Sequence, residues 1–206
     1  MDLSLLTALG PLDGRYRNKI SSLAPFLSEF ALIKYRIQVE IAYFIELHQI
    51  GLSILPPISS EEQENLHDIY RTLSISDAEQ VKSFERQTNH DVKAVEYFIK
   101  DQIRKGDFSQ GIKDRLEFVH FGLTSQDVNN TATPMMLRDA LHQVYLPHIE
   151  KVMDKLGQMT EDYRDIPLLA RTHGQAASPT GLGKEIAVFH ARLKRQVESL
   201  KSLSIM

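Results

Sequence analysis

The sequence contains no cysteine. Disulfides, thiolate catalysis and cysteine-ligated zinc are therefore excluded, and a reducing compartment is compatible with the composition. A basic excess is missing too: 24 Lys and Arg stand against 27 Asp and Glu, for a net charge of −3. Nucleic acid is not an expected partner, because its binders gather positive charge on one face. A small anionic ligand remains open, since it needs only a few local cations or helix ends. No apolar run approaches the ~20 residues of a membrane span. The opening stretch, MDLSLLTALGPLDGRY, has neither the basic start nor the long apolar core of a secretory signal. A cytoplasmic protein without membrane contact is expected. Strand-type alternation is scarce, and no repeat or low-complexity tract occurs.

What is present is helical periodicity. The 206 residues are 42% hydrophobic and 25% charged, enough for one ordinary domain or two small ones. Phe30, Ile33, Ile37, Ile41, Phe44 and Leu47 recur every three or four residues, which predicts one buried helix stripe. Gly51 is a stop signal, and Pro56-Pro57 form a stiff connector. Ser59 with Glu62 has capping-box spacing ahead of Leu66, Ile69, Tyr70 and Leu73, and Ser76 with Glu79 repeats it ahead of Val81 and Phe84. Val92, Val95, Ile99 and Ile103 form a further stripe, followed by a shorter one at Ile112, Leu116 and Val119 that Gly122 ends. Leu137, Leu141, Val144, Val152, Leu156, Met159 and Tyr163 then share a face over about 28 residues, a rod of roughly 40 Å, with a kink expected at Pro147. A last helix begins near Gly181, its wet side carrying Lys194, Arg195, Glu198 and Lys201, with no stop signal before the final residue. The fold class predicted is all-α: a short-helix N-terminal domain over residues 1–110, then the first part of a long-helix bundle over 111–206, with a soft boundary at Gly106–Gly111. The long rod suggests an oligomeric bundle.

Four polar stretches break the periodicity. Asp13-Gly14-Arg15-Tyr16 is a turn that presents a guanidinium beside a phenol, either as an anion clamp or as a plain surface stack. Thr88-Asn89-His90-Asp91-Val92-Lys93 places N-cap residue types before an apolar stripe. Its helix start offers free N–H groups and partial positive charge, with His90 as a donor. Gly122-Leu123-Thr124-Ser125-Gln126-Asp127-Val128-Asn129-Asn130 has capping-box spacing at Thr124 and Asp127 and supplies two hydroxyls. Arg171-Thr172-His173-Gly174-Gln175-Ala176-Ala177-Ser178-Pro179 joins two long helices through a polar loop, where a histidine suits proton transfer near neutral pH. Each stretch also has an ordinary reading as a turn or cap. Metal binding is not expected: His90, His120 and His173 make no i, i+4 pair, His142 and His148 are six apart, and HExxH is absent.

Taken together, LDGRYRNKI, RQTNHDVKAVEYFIK, EFVHFGLTSQDVNN and YRDIPLLARTHGQAASPT resemble the adenylosuccinate lyases of the fumarase/aspartase superfamily. The resemblance runs through essentially the whole chain. TNHDVKAVE and ARTHGQ together are specific, and TSQDVNN lies nearer this branch than the fumarases or argininosuccinate lyases. Two positions depart from the family pattern. Ala176 stands where a proline usually follows THGQ, and Pro134 is unexpected at the start of the rod.

The resemblance implies an all-helical C–N lyase of purine and AMP biosynthesis. Such an enzyme releases fumarate by β-elimination from adenylosuccinate, giving AMP, and from the succinylaminoimidazole carboxamide ribotide. It implies no cofactor and no metal. The implied partners are the nucleotide substrate and further copies in a homotetramer, three of which build each site. His173 is the implied general acid. Thr124 and Ser125 would hold a substrate carboxylate, and Asn89, His90 and Asp91 would line the nucleotide side, with His90 orienting the substrate or assisting the acid. Arg15 and Tyr16 would grip a phosphate or a carboxylate; Lys93 is a weaker candidate. The family's mobile loop carrying the basic serine has no counterpart among these residues, so the 206-residue chain is expected to be inactive alone. The rival expectations are another fumarate-releasing lyase of the superfamily and an inert helical assembly module.

Overall fold

The computed structural model describes residues 1–203 and divides into two compact units, Met1–Ala140 and a second that begins at Leu141. In the first unit the short helices α1 (Arg17–Ile20) and α2 (Ala24–Leu27) lead into α3 (Glu29–Gln49). There follow α4 (Ser60–Arg71), α5 (Ile75–Thr88), α6 (Asp91–Lys105), the single turn α7 (Gln110–Lys113) and α8 (Ser125–Ala140).

Helix α3 is the centre of this unit. Ser28 Oγ caps it by accepting from the Ala31 N–H at 3.3 Å. The predicted stripe from Phe30 to Leu47 is buried at every position named. Each such large apolar side chain contributes about 1.5–3 kcal/mol on leaving water. From Phe30 to Phe44 the stripe packs with Leu66, Val81, Val95, Phe98, Ile99 and Ile103 in one core cluster. A smaller cluster of Ala31, Tyr35, Ala132 and Met136 joins α3 to α8. The chain leaves α3 through Gly51 at φ 81°, a backbone state that glycine adopts without a Cβ clash.

The caps hold with one correction. Ser59 and Glu62 form the expected capping box, and Glu62 also accepts from the Ser109 N–H at 3.1 Å, which ties α4 to the approach to α7. The Ser109 hydroxyl first, then the Ser59 contacts, bring the Glu62 carboxyl down to about 2. The second box is made by Ser74 and Asp77, two residues before the predicted Ser76 and Glu79. Ser74 is the last extended residue and so presents its hydroxyl to the free N–H groups, whereas Ser76 is already inside the helix. The stretch Gly106–Gly111, where a boundary is expected, lies inside the first unit, and Ile112, Leu116 and Val119 beyond it join the same core as Phe98. Pro134 sits within α8 without ending it.

The second unit opens with a π-helical turn, Leu141–Tyr145, followed by α9 (Leu146–Asp162). The π turn stands where a kink is expected, just ahead of Pro147. Proline has no N–H to return to the preceding turn, and a widened turn accommodates that loss. The His148 Nδ1–H donates to the Val144 carbonyl at 2.8 Å. An antiparallel hairpin follows, β1 (Pro167–Thr172) and β2 (Gln175–Gly181), then α10 (Leu182–Lys201). The hairpin replaces the irregular loop read from the sequence; the architecture is otherwise the mostly helical one predicted. Helix α10 begins where expected and exposes Lys194, Arg195, Glu198 and Lys201. It ends at Lys201, short of the predicted run to the final residue: Ser202 caps it and Leu203 is no longer helical, while residues 204–206 lie outside the described residues. Gly183 allows α10 to pass close to the end of α9: a Cβ there would lie 2.9 Å from the backbone N and Cα of Arg164 and closer still to the Thr160 carbonyl. Among the described residues no helix is long and apolar enough to cross a membrane.

Candidate functional site

Helix α5 ends at Thr88, and Asn89 closes it in the left-handed conformation, φ 51°, with its N–H donating to the Glu85 carbonyl at 2.8 Å. Asparagine tolerates this state better than most residues. Its use here turns the chain sharply into α6. Of the N-cap candidates in this stretch it is His90 that caps: its Nδ1 accepts from the Lys93 N–H at 3.1 Å. Asp91 is the first residue of α6.

The third polar stretch is entered through a reversal of direction at His120, φ 64°, and Gly122, φ 73°. Thr124 then meets α8. Its N–H and Oγ1 both donate to Asp127 Oδ2, at 2.7 and 2.8 Å. The backbone hydrogen bond from Thr124, and then its hydroxyl, hold the Asp127 carboxyl below its ordinary range. Ser125, the first residue of α8, lies with Oγ 3.4 Å from His90 Nε2. The first unit therefore brings the second and third polar stretches together.

What holds them is a polar stripe on α3 that the hydrophobic pattern concealed. Arg36, buried, donates from Nη2 to Asp91 Oδ2 at 2.7 Å and from Nε to Asn129 Oδ1 at 2.9 Å. One guanidinium thus joins the starts of α6 and α8, a use suited to its fixed fork of donors. Burial raises the Asp91 carboxyl, but the Arg36 charge and hydrogen bond outweigh it and the net shift is downward. One turn on, fully buried Glu40 pairs with His120 Nδ1 at 2.5 Å. Burial dominates there and pushes Glu40 upward against the pull of His120. Tyr43 completes the stripe by donating to the Phe121 carbonyl at 2.9 Å. The signal available in the sequence was an arginine and a glutamate at i and i+4, set among six apolar positions of a helix too apolar to carry them in water.

In the second unit the fourth stretch is the hairpin tip. Thr172 pairs with Gln175, leaving a two-residue turn in which His173 and Gly174 have φ of 51° and 75°. Positive φ at both central positions is the demand of a tight type I′ hairpin. Glycine meets it freely, whereas histidine is held there at a cost. His173 is exposed at the tip. Ala176, in the place of the family's usual proline, pairs with Arg171 in the ladder. Arg15 and Tyr16 stack on the surface of the first unit, the guanidinium carbon 5.5 Å from the ring centre. Their neighbour Asp13 is structural: buried, it accepts from the Gly10 N–H and from Arg17, each at 2.7 Å.

Asn89, His120 and His173 are the non-glycine residues with positive φ among the described residues; Asn89 and His173 lie in polar stretches and His120 two residues before another. Such backbone strain concentrates at functional sites. Beside the first of them, an open depression of about 520 Å³ is lined by Glu29, Leu32, Arg36, Glu85, Asn89, His90 and Asp91. Among the described residues, no three His, Asp or Glu side chains gather as a metal would require.

Residues 14–205 match the sequence profile of the family described as lyase. The chain belongs to the lyase family. It is 45% identical to adenylosuccinate lyase of Dictyostelium discoideum over 98% of its own length and 43% of that protein's. It is 43% identical to the Haemophilus influenzae adenylosuccinate lyase and 40% identical to that of Escherichia coli K12, in each case over all of this chain and 45% of the relative. The chain therefore spans less than half the length of these curated relatives. The fold is similar to that of a fumarate lyase from Mesorhizobium sp. BNC1, with TM-score 0.67 and 23% identity over 89% of this chain and 39% of that one. It is equally similar to a β-carboxy-cis,cis-muconate cycloisomerase from Acinetobacter calcoaceticus, TM-score 0.67 at 19% identity, over 88% of this chain and 40% of that one. In this member of the lyase family the strained turns, the caps and the α3 stripe surround the polar stretches.

Proposed function

We propose that this lyase chain is the amino-terminal portion of an enzyme that cleaves adenylosuccinate to AMP and fumarate, and that performs the same elimination on the succinylaminoimidazole carboxamide ribotide. The observation that carries the reading is the 40–45% identity to adenylosuccinate lyases across the whole chain. β-Elimination of a C–N bond needs a base for the proton beside a carboxylate, donors for the charge that builds on that carboxylate, and an acid for the departing nitrogen. His173 supplies the acid; a strained, exposed hairpin tip suits a group that must reach a substrate. Thr124 and Ser125 hold the carboxylate, with His90 orienting it. Asn89 and Asp91 face the nucleotide, and Arg15 with Tyr16 grips an anionic oxygen. The acidic lining of the depression beside Asn89 favours the base and ribose there over a phosphate.

The base belongs to a segment with no counterpart in the 206 residues, and the complete site is assembled in a homotetramer in the cytoplasm. The 206-residue polypeptide alone then releases no fumarate from adenylosuccinate. Release within tenfold of a full-length relative would overturn this. In a full-length enzyme carrying these residues, His173→Ala lowers turnover by at least ~10²-fold, and an unchanged rate removes His173 from the acid role. A second reading, an assembly module, is favoured by the exposed Phe189 (64%) and Val152 (49%) of the second unit. A light-scattering mass of one chain would end it.

A further inference from the structure

We infer that the start of α6 fixes the tautomer of His90, so that this ring faces Ser125 as a hydrogen-bond donor and cannot serve there as a base. A backbone N–H can only donate. The Lys93 N–H lies 3.1 Å from His90 Nδ1, so that nitrogen must present its lone pair. In the neutral ring the single proton then resides on Nε2. Nε2 in turn lies 3.4 Å from Ser125 Oγ, a long hydrogen bond of the kind that tightens when a ligand fills a site. The Ser125 oxygen accepts from Nε2–H, and its own hydroxyl proton is left to point outward. The helix N–H, the imidazole and the hydroxyl form a chain with one polarity, and its outer end offers a proton to an acceptor oxygen.

The competing arrangement is a proton on Nδ1 directed at Asp91 Oδ1, 3.8 Å away. Two features oppose it. It deprives the Lys93 N–H of its acceptor, and 3.8 Å is too long for an N–H···O hydrogen bond. The side chain is about half exposed, so solvent alone imposes no tautomer; the cap does.

The tautomer stands without the lyase reading, while its use, orienting a substrate carboxylate through Ser125, rests on it. The 206-residue chain, labelled with ¹⁵N-histidine, tests it in a long-range ¹H–¹⁵N correlation spectrum. The measurement is made near pH 8.5, well above the usual imidazole range of about 6.5. His90 is assigned by the peak lost in His90→Asn. The expected result is a single Nε2–H form, with Nδ1 at the shift of an unprotonated nitrogen. An Nδ1–H pattern, or the averaged shifts of two interconverting forms, overturns the proposal. A pair of variants supplies a second reading, because Asn places an acceptor where Nδ1 stands and Gln where Nε2 stands. His90→Asn should keep the melting temperature within about 1 °C, whereas His90→Gln should lower it by about 2–4 °C for loss of the cap. Equal losses in both, or none in His90→Gln, overturn the cap on which the tautomer depends. A full-length enzyme without lyase activity but with the Nε2–H ring would discard the proposed function and leave this inference standing. An active enzyme with the Nδ1–H ring would do the reverse.

Discussion

In the unit Met1–Ala140, Phe44, Ile37, Ile41, Phe98 and Ile99 have essentially no exposed surface; among the described residues from Leu141 onward, only Leu146, Gly183 and Val197 are buried. Both stretches have helices with clear apolar periodicity. In the first, the short helices cross a central one and cover its stripe on several sides. In the second, α9 and α10 have essentially one another and a two-stranded hairpin, and Val152, Val188 and Phe189 are left exposed. Periodicity reports which face a helix would bury, not whether a partner is there to bury it.

Truncating core side chains should separate the two regions most sharply. Phe44→Ala is expected to cost about 3–5 kcal/mol in denaturant unfolding, whereas Val152→Ala in a monomeric sample should fall within about 0.5 kcal/mol. A large Val152 effect would mean that its face is covered by another copy. Arg36→Met comes next. It strips Asp91 and Asn129 of their shared donor and should lower stability by about 1–3 kcal/mol, with amide-exchange protection lost first at the starts of α6 and α8. Protection lost evenly through the unit would deny Arg36 its role as the tie between the two turns. Gly183→Ala tests the closest approach within the second unit and should cost about 1–3 kcal/mol. A neutral result would show that α9 and α10 can part without penalty.

The smallest effect concerns pH. The folded-state pKa of Glu62, about 2, lies below its ordinary 4.5. A depressed carboxyl stabilises the fold above its unfolded value, and the benefit fades as pH falls through the folded one. The stability gap between the parent chain and Glu62→Gln should thus be steady above about pH 4.5 and shrink toward pH 2. A gap independent of pH would sever the Ser59–Glu62–Ser109 link.

Much of the helical plan was legible because its signals are local. The α3 stripe, the Ser59 box and the start of α10 each depend on residues within a turn or two of one another. The polar stretches stood out as interruptions of that pattern. The Ser74 cap was missed by two residues because Ser76 with Glu79 satisfies the same spacing, and only the backbone conformation chooses between them. The hairpin at Pro167–Gly181 was missed because its strands are short, largely exposed and without alternation. Its turn depends on a histidine in a conformation for which the usual signal is Asn-Gly or Asp-Gly.

The order of residues alone settled which segments coil, where most of them begin, and that four polar stretches would stand apart from the apolar faces. Those outcomes follow from backbone preferences and spacing within single helices. Only the tertiary structure decided that Arg36, Glu40 and Tyr43 would turn inward to hold two of those stretches, and that His90 rather than Asn89 or Asp91 would cap α6. A buried charge is tolerable only where its partner arrives, and Asp91 and Asn129 reach Arg36 from 55 and 93 residues further along the chain.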